Sequence, residues 1–364
     1  MRSDIEVLSR AGLPLEEFLA EAADSVRRAV PWVAACVSTN DPVTHLLSSD
    51  RKFGDLVGRN EHDGLWGQIE YREDEPTSMR NLAIDGRTAV SMHVETGGDV
   101  DRSVRMSRLM KPHYGYYDEA RLMFSDGTTA WGGIALFRGP DDPAFSVEDT
   151  DFLATLAGSF AQGVRAGLLV QAATAAITRH SGPAVYIVGA DDSVAQMSEG
   201  AHERLQELRS IGHAGDPIAM LTILAGFARR HARGDIAAPP RLRVRSRTGQ
   251  WLLLHASPLS GADGAVVVTL EEARPPEIID LVVAAFDLTV RERDVLRCVL
   301  QGLDTKAIGS ALHLSPYTVQ DHLKSIFDKA DVRSRRELIA RIFFDQFEPR
   351  LGGELTASGW FASA

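Results

Sequence analysis

The last quarter of the chain carries helix start and stop signals so closely spaced that it can fold only as a group of short helices. Thr289 and Glu292 have the spacing of a capping box, in which each side chain satisfies a backbone N–H of the first helical turn. Gly302 stands where a left-handed residue commonly ends a helix. The segment between them predicts one short helix with a single buried face.

Two further helices have start signals of their own. Asp304 is a candidate N-cap, and Ser315 precedes Pro316, whose fixed φ and missing N–H suit the first helical position. Ser334 and Glu337 form a second capping box before a fourth helix. The apolar stripes of these four helices are Val295, Leu296, Val299 and Leu300; Ala307, Ile308, Ala311 and Leu312; Val319, Leu323, Ile326 and Phe327; and Leu338, Ile339 and Ile342. This spacing predicts that the second and third helices form a helix-turn-helix. In such a motif the second of the two helices, here the third of the four, enters the DNA major groove.

The outward face of the third helix carries side chains that suit DNA. Gln320 can bond adenine bidentately, Lys324 suits guanine, and Asp321 can accept from the cytosine amino group. Tyr317 and Thr318, in the first turn, suit phosphate groups, as do the amides of the helix N-terminus.

This stretch resembles the C-terminal DNA-binding domain of the LuxR/GerE family of bacterial transcription regulators. The matching residues are Leu288, Thr289, Arg291, Glu292, Val295, Leu296, Gly302, Lys306, Ile308, Leu312, Ser315, Thr318, Val319, His322, Ile326, Lys329, Val332, Arg335, Glu337 and Leu338. The resemblance implies a homodimer that binds double-stranded DNA at a pseudo-palindromic operator. By the same resemblance Gln320, Asp321 and Lys324 face the bases, and the DNA backbone contacts are Lys306, Ser315, Tyr317, Thr318 and Lys329.

The segment also departs from the family pattern. Gln320 stands where a lysine is common, Ala307 replaces a frequent glutamate, and Ala330-Asp331 replaces the usual Leu-Gly. These changes leave the operator sequence open. An alternative is that the helical module binds a protein and the chain is a signalling adaptor. His322 fits a partly buried helix histidine better than a ligand or a catalytic base.

The charge distribution agrees with a DNA-binding C-terminus. The whole chain carries a net charge of −11, but residues 285–344 hold ten Lys and Arg against eight Asp and Glu. The acidic excess therefore lies outside the helical module, as expected if only that module meets phosphate. A net charge of +2 is modest, so a dimer is needed to accumulate phosphate contacts.

The length of 364 residues predicts two or three domains. The two cysteines, Cys36 and Cys298, form no disulfide framework and no CxxC pair, which fits a reducing cytoplasm. We expect no signal peptide and no membrane span, since no apolar run has the length of either.

The first part of the chain predicts an antiparallel sheet with helices. Residues 15–30 indicate an amphipathic helix, 32–38 a strand, and 117–138 a hairpin that turns at Ser125-Asp126-Gly127. A long helix is expected over about 147–175. Its apolar stripe fits either a parallel dimer helix or a face buried within one chain. The element order over about 20–170 resembles a GAF sensor domain.

Residues 176–272 predict a second unit, in which a strand pair, short helices and three strands follow one another. This order resembles a PAS domain. The fold class is thus multidomain α+β, with a GAF-like antiparallel sheet, a PAS-like α/β sensor domain and a C-terminal all-α four-helix module. We expect domains at 1–172 (GAF-like) and 173–274 (PAS-like), a linker at 275–286, the helix-turn-helix at 287–347, and a tail at 348–364.

No enzyme chemistry is evident. The chain has no phosphate-binding G-x-x-x-x-G-K-[ST] loop, no G-x-S-x-G and no H-E-x-x-H, and its histidines lack metal-ligand spacing. We therefore expect a non-enzymatic regulator without a cofactor or metal, with a possible small-molecule ligand in a sensor domain. Trp66, Trp131 and Tyr116 fit core positions better than a ligand pocket, although either is open.

Overall fold

The computed structural model describes residues 2–72, 75–127, 129–170, 182–208, 217–246, 250–261 and 264–343. The chain divides into two compact units, Met1–Glu272 and Ala273–Ala364. The first unit contains two antiparallel sheets, and the second is helical. The expected tail at 348–364 and the end of the expected helix at 171–175 lie outside the described residues.

The first sheet has five strands in the order β2-β1-β5-β4-β3. The elements of this part are α1 (Arg2–Arg10), α2 (Leu15–Arg27), β1 (Ala34–Asn40), β2 (Leu47–Gly54), α3 (Asp63–Arg72), α4 (Met79–Asp85), β3 (Ala89–Ser91), α5 (Met92–Glu95), a 3₁₀ turn (Val100–Arg102), a π-helix (Met106–Tyr114), β4 (Asp118–Ser125), β5 (Ala130–Arg138), α6 (Val147–Ala154) and α7 (Ala157–Leu169). Every residue of β5 is buried, so helices cover both faces of this sheet.

The predicted hairpin of residues 117–138 is confirmed as β4 and β5. Asp126 closes the turn by accepting from the backbone N–H of Thr129 at 2.9 Å, and Gly127 adopts a positive φ of 89°. The Asp126 carboxylate also accepts from Arg165 on α7 at 2.5 Å. The turn therefore ties the hairpin to the helix that packs on it.

The long helix expected over 147–175 is interrupted. It begins as α6, which Ser146 caps, and restarts as α7 after Thr155 and Leu156. The apolar stripe is buried within the chain, because α7 packs on α1, α2, β4 and β5. Gly163 lets α2 approach closely, since a Cβ there would overlap the ring of Phe18. Of the two alternatives for this stripe, the intramolecular one holds.

The second sheet has the order β7-β6-β10-β9-β8, which repeats the topology of the first. Its elements are β6 (Ala184–Val188), β7 (Val194–Met197), α8 (Ala201–Gln206), α9 (Pro217–Ala232), β8 (Arg241–Arg245), β9 (Trp251–Pro258) and β10 (Val266–Glu272). Burial alternates along β6 and β10, which is typical of a sheet with one face toward a core. Helix α9 packs on this sheet and contributes more buried residues to the core than any other helix.

The two sheets share one compact unit because their elements interlock. Helix α3 crosses α9, and Gly67 permits the close approach, since a Cβ there would overlap Ile223. Asp41, just after β1, accepts two hydrogen bonds from Arg243 on β8 at 2.7 and 2.8 Å. Both of these charged side chains are buried. The first unit therefore behaves as one body with two sheets.

The second unit comprises α10 (Pro275–Ala285), α11 (Val290–Leu300), α12 (Thr305–Leu312), α13 (Pro316–Lys329) and α14 (Arg335–Phe343). The segment 275–286, which we expected to be a linker, instead forms α10. Its sequence is strongly apolar, and it packs against α14. The Pro275-Pro276 pair, which favoured a linker, lies in the first helical turn, where proline is tolerated.

No helix in the described ranges is long and apolar enough to cross a membrane.

Candidate nucleic-acid interface

Helix α13 begins as predicted. The Ser315 hydroxyl caps it by accepting from the backbone N–H of Thr318 at 3.1 Å, and Pro316 occupies the first helical position. Val319, Leu323 and Ile326 are buried. Helical periodicity then turns the remaining positions outward. The helix is thus held by its apolar face and presents a polar one.

The three predicted base-contacting residues, Gln320, Asp321 and Lys324, lie on this exposed face. Lys324 lies one turn after both Gln320 and Asp321, at i+4 and i+3, so it neighbours each of them on the helix surface. Gln320 donates from its amide nitrogen to the Thr305 hydroxyl of α12 at 3.1 Å. This bond links the exposed polar face of α13 to the start of α12.

Four of the five predicted backbone-contacting residues border the same face. Ser315, Tyr317 and Thr318 lie at the N-terminus of α13, and the Tyr317 side chain is 79% exposed. Lys306 is exposed in the first turn of α12. The structure thus brings side chains of both helices of the helix-turn-helix to one region.

Lys329, the fifth of these residues, is engaged inside the module. Its ammonium donates to the Glu292 carboxylate at 2.7 Å and to the backbone carbonyl of Asp287 at 3.0 Å. These bonds tie the end of α13 to the start of α11. A phosphate contact by Lys329 would have to compete with them, so its predicted role stays a prediction.

Glu292 has a larger structural role than its capping box indicated. The box is confirmed, since Thr289 and Glu292 each bond the other's backbone N–H. The carboxylate also accepts from Ser325 at 2.6 Å. Burial raises the pKa of Glu292, but hydrogen bonds from Lys329, Ser325 and Thr289 outweigh it and lower the pKa to about 2. A charged Glu292 therefore holds α13 against α11.

The turn between α12 and α13 is unusually tight. His313 has a positive φ of 55°, and the backbone N–H of Leu314 donates to the carbonyl of Gly309 at 2.8 Å. A Cβ at Gly309 would lie 2.8 Å from the Leu314 carbonyl oxygen, closer than real contacts allow. Sequence reasoning did not single out Gly309. A glycine inside a short helix just before a predicted turn was the available signal.

The remaining site predictions concern other parts of the chain. No group of His, Cys, Asp and Glu in the described ranges is arranged to hold a metal ion. Cys298 is buried on α11, as expected for a small core residue. Trp131 and Tyr116 are buried in the first unit. Trp66 instead lines a cavity there.

Comparison with known proteins identifies the helical module. Residues 287–342 match the family described as bacterial regulatory proteins, luxR family. The nitrate/nitrite response regulator protein NarP of Escherichia coli (strain K12) is 46% identical over 59 residues, which cover 16% of this chain and 26% of that protein. The transcriptional regulatory protein DesR of Bacillus subtilis (strain 168) is 35% identical over 92 residues, 24% of this chain and 46% of that protein.

The matched segment covers less than half of the length of each of these relatives. The monoamine regulon transcriptional regulator of Klebsiella aerogenes is 41% identical over 54 residues, 15% of this chain and 24% of that protein. A solved structure described as the phage VqmA-DPO complex covers 44% of this chain and 79% of its own, at 19% identity and a TM-score of 0.23. A score this low carries no argument about the fold.

Proposed function

We propose that this chain, whose residues 287–342 form a luxR-family helix-turn-helix domain, is a transcription regulator that binds a pseudo-palindromic operator as a homodimer. The observation that carries the proposal is the exposed polar face of α13, on a helix fixed by its buried apolar face and by Glu292. A rigid helix with an exposed polar face is the element that reads the major groove.

Within this proposal the side chains divide into two groups. Lys324, Gln320 and Asp321 face the bases, and each has donors or acceptors that match a base edge. Lys306, Tyr317 and Thr318 face phosphates and set the position of the helix on the duplex. Gln320 would release its bond to Thr305 on meeting a base, because both groups are exposed and water can replace the lost partner.

The dimer follows from the charge of the module. Ten basic and eight acidic residues over 285–344 give one copy little attraction for DNA. Two copies on two half-sites double the number of phosphate contacts, and the affinity depends steeply on that number. Helices α10 and α14, which pack together, are candidates for the dimer contact.

The N-terminal unit is proposed to sense a small molecule or a partner. The two antiparallel sheets, each with helices on a face, support the GAF-like and PAS-like assignments, which remain predictions. Only Ala273 and Arg274 separate β10 from α10. We propose that binding to the first unit shifts the geometry of the DNA-binding pair through this short connection.

The test is selection of bound sequences from a random duplex library with the full-length protein. We expect enrichment of a two-fold symmetric site. The variant Lys324→Ala should bind that site about 10- to 100-fold more weakly, since a base-contacting side chain contributes about 1–3 kcal/mol. The control Arg297→Ala removes the same charge from the exposed surface of α11, outside the two DNA-facing helices, and should bind within about twofold of the original protein.

Failure to enrich any duplex at low salt would overturn the DNA-binding proposal and favour the adaptor alternative. Equal losses of affinity in both variants would show that general charge, rather than the face of α13, governs binding.

A further inference from the structure

A cavity of about 110 Å³ lies between the two sheets of the first unit. One wall comes from β1 and α3 of the first sheet's layer, through Asn40 and Trp66. The opposite wall comes from the second sheet's layer, through Met220 and Ile223 on α9 and Leu242 on β8. Both layers are therefore needed to form the cavity. An apolar cavity of about 150 Å³ holds benzene, so this one suits a comparably small ligand.

Asn40 brings a polar side chain without hydrogen-bond partners among the described residues to this cavity. Its side chain lies at the end of β1, lines the cavity and is 4% exposed. Neither the amide oxygen nor the amide nitrogen has a hydrogen-bond partner in the described part of the chain. Buried polar groups are nearly always bonded, because leaving one unsatisfied is costly. An amide offers a donor and an acceptor side by side.

Four charged groups of the cavity wall are paired with one another, and the fifth, Asp50, is not free either. Arg121 donates to the Glu70 carboxylate at 2.9 and 3.0 Å, and Lys52 donates to Asp63 at 2.5 Å. Burial raises the pKa of the Cys36 thiol, so this side chain is neutral as well. The wall therefore offers an ionic ligand no free counter-charge. The rest of it is largely apolar, with Trp66 and Met79 among its members.

We propose that this cavity binds a small neutral molecule, mostly apolar, that carries an adjacent hydrogen-bond donor and acceptor, such as a carboxamide or a lactam. The Asn40 amide pairs with that group, and Trp66 and the α9 side chains enclose the apolar part. The inference rests on the proposed sensor function and names its ligand class.

The test uses three five-membered rings of similar size and the full-length protein, with binding measured by saturation-transfer NMR titration. Pyrrolidin-2-one carries the donor and acceptor, cyclopentanone lacks the donor, and pyrrolidine is a cation at neutral pH. We expect pyrrolidin-2-one to bind the most tightly. Asn40→Leu should weaken it by about tenfold or more, the effect of losing a buried hydrogen-bond pair. Asn40→Leu should not lower Tm, because it removes an unsatisfied buried amide.

The matched control is Gln196→Leu, which replaces an exposed amide on β7 and should leave binding unchanged. A second variant, Ala219→Leu, fills the cavity from α9 with Asn40 intact and should abolish binding of all three rings. The proposal is overturned if no ring binds, if pyrrolidine or cyclopentanone binds as tightly as the lactam, or if Asn40→Leu binds like the original protein. The ligand-binding assay contains no DNA, and Lys324→Ala should bind the lactam as the original protein does. Failure of the DNA-binding proposal can therefore be distinguished from failure of the ligand proposal.

Discussion

The two units of this protein use charge in opposite ways. The first unit buries a cluster in which Arg105 and Arg121 each donate to Glu119, at 2.7 and 2.8 Å, and Arg121 also holds Glu70. All of these side chains are at most 8% exposed. In the described part of the second unit, Glu292 alone among the charged residues is buried. Its other charges lie at the surface.

This difference shows which charges are available to a partner. A buried ion pair fixes the position of the elements that carry it, and removing one member leaves an uncompensated charge. The cluster in the first unit joins α3, β4 and the loop before α4. Exposed charges contribute little to stability but can meet DNA phosphates and bases. The buried charges of the first unit are therefore structural, whereas the described charges of the second unit, apart from Glu292, are at least partly exposed, as contact with a partner requires.

The largest expected effect comes from breaking the buried cluster. Arg121→Met should destabilise the first unit by about 3–5 kcal/mol, because Glu70 and Glu119 are then left with only Arg105 of the two arginines that pair with them. Chemical denaturation followed by circular dichroism measures this loss. Arg87→Met is the matched control, since the Arg87–Glu95 pair is partly exposed, and it should cost less than about 1 kcal/mol. Similar losses in the two variants would contradict the contrast between buried and exposed charge.

The next effect concerns Glu292, the one buried acid among the described residues of the second unit. Glu292→Gln should destabilise the helical module by about 2 kcal/mol, because one oxygen that accepts from Lys329 or Ser325 becomes an NH₂ donor and the remaining oxygen loses its negative charge. Glu337→Gln, at the exposed start of α14, is the control and should cost less. Hydrogen exchange of the α11 and α13 amides reports the loss for this unit alone. Unchanged protection in Glu292→Gln would refute the anchoring role.

The same residue predicts a dependence on pH. The pKa of Glu292 in the folded protein is about 2, below its ordinary value of 4.5, so the charged form is favoured by folding. Its contribution is complete above pH 4.5 and is lost as the pH falls toward 2. Protection of α13 amides should fall over this window in the original protein. Glu292→Gln should show a flatter profile there.

Local sequence patterns predicted the second unit better than the first. The caps at Thr289, Asp304 and Ser315 and the left-handed Gly302 are all confirmed, because each depends only on residues a few positions away. The hairpin of β4 and β5 was predictable for the same reason. Strand β2 was not, since its sequence is polar and its pairing with β1 is set by the sheet.

Features that depend on distant residues were not predictable. The buried cluster combines Glu70, Arg105 and Arg121 from three separate elements, and nothing in their spacing signals contact. The cavity could not be predicted either, because Asn40 and Ile223 line the same cavity only when the two sheets pack together. Of the residues predicted to face DNA, helical spacing placed Gln320, Asp321 and Lys324 on one exposed face. It could not show that Lys329 is bonded to Glu292.

The smallest expected effect separates the two lysines that sequence reasoning assigned to phosphate. Lys306→Ala should weaken DNA binding only a few-fold at moderate salt. It should also reduce the slope of log affinity against log salt by about 2 for a dimer, or about 1 per lost phosphate contact. Lys329→Ala should mainly lower the stability of the helical module, since its ammonium is held by Glu292 and Asp287. Salt titrations of operator binding, paired with thermal unfolding, distinguish these outcomes. If Lys329→Ala changes the salt slope as much as Lys306→Ala and leaves stability intact, then Lys329 leaves its internal partners for phosphate, and charge in the second unit is still more available to DNA than the structure indicates.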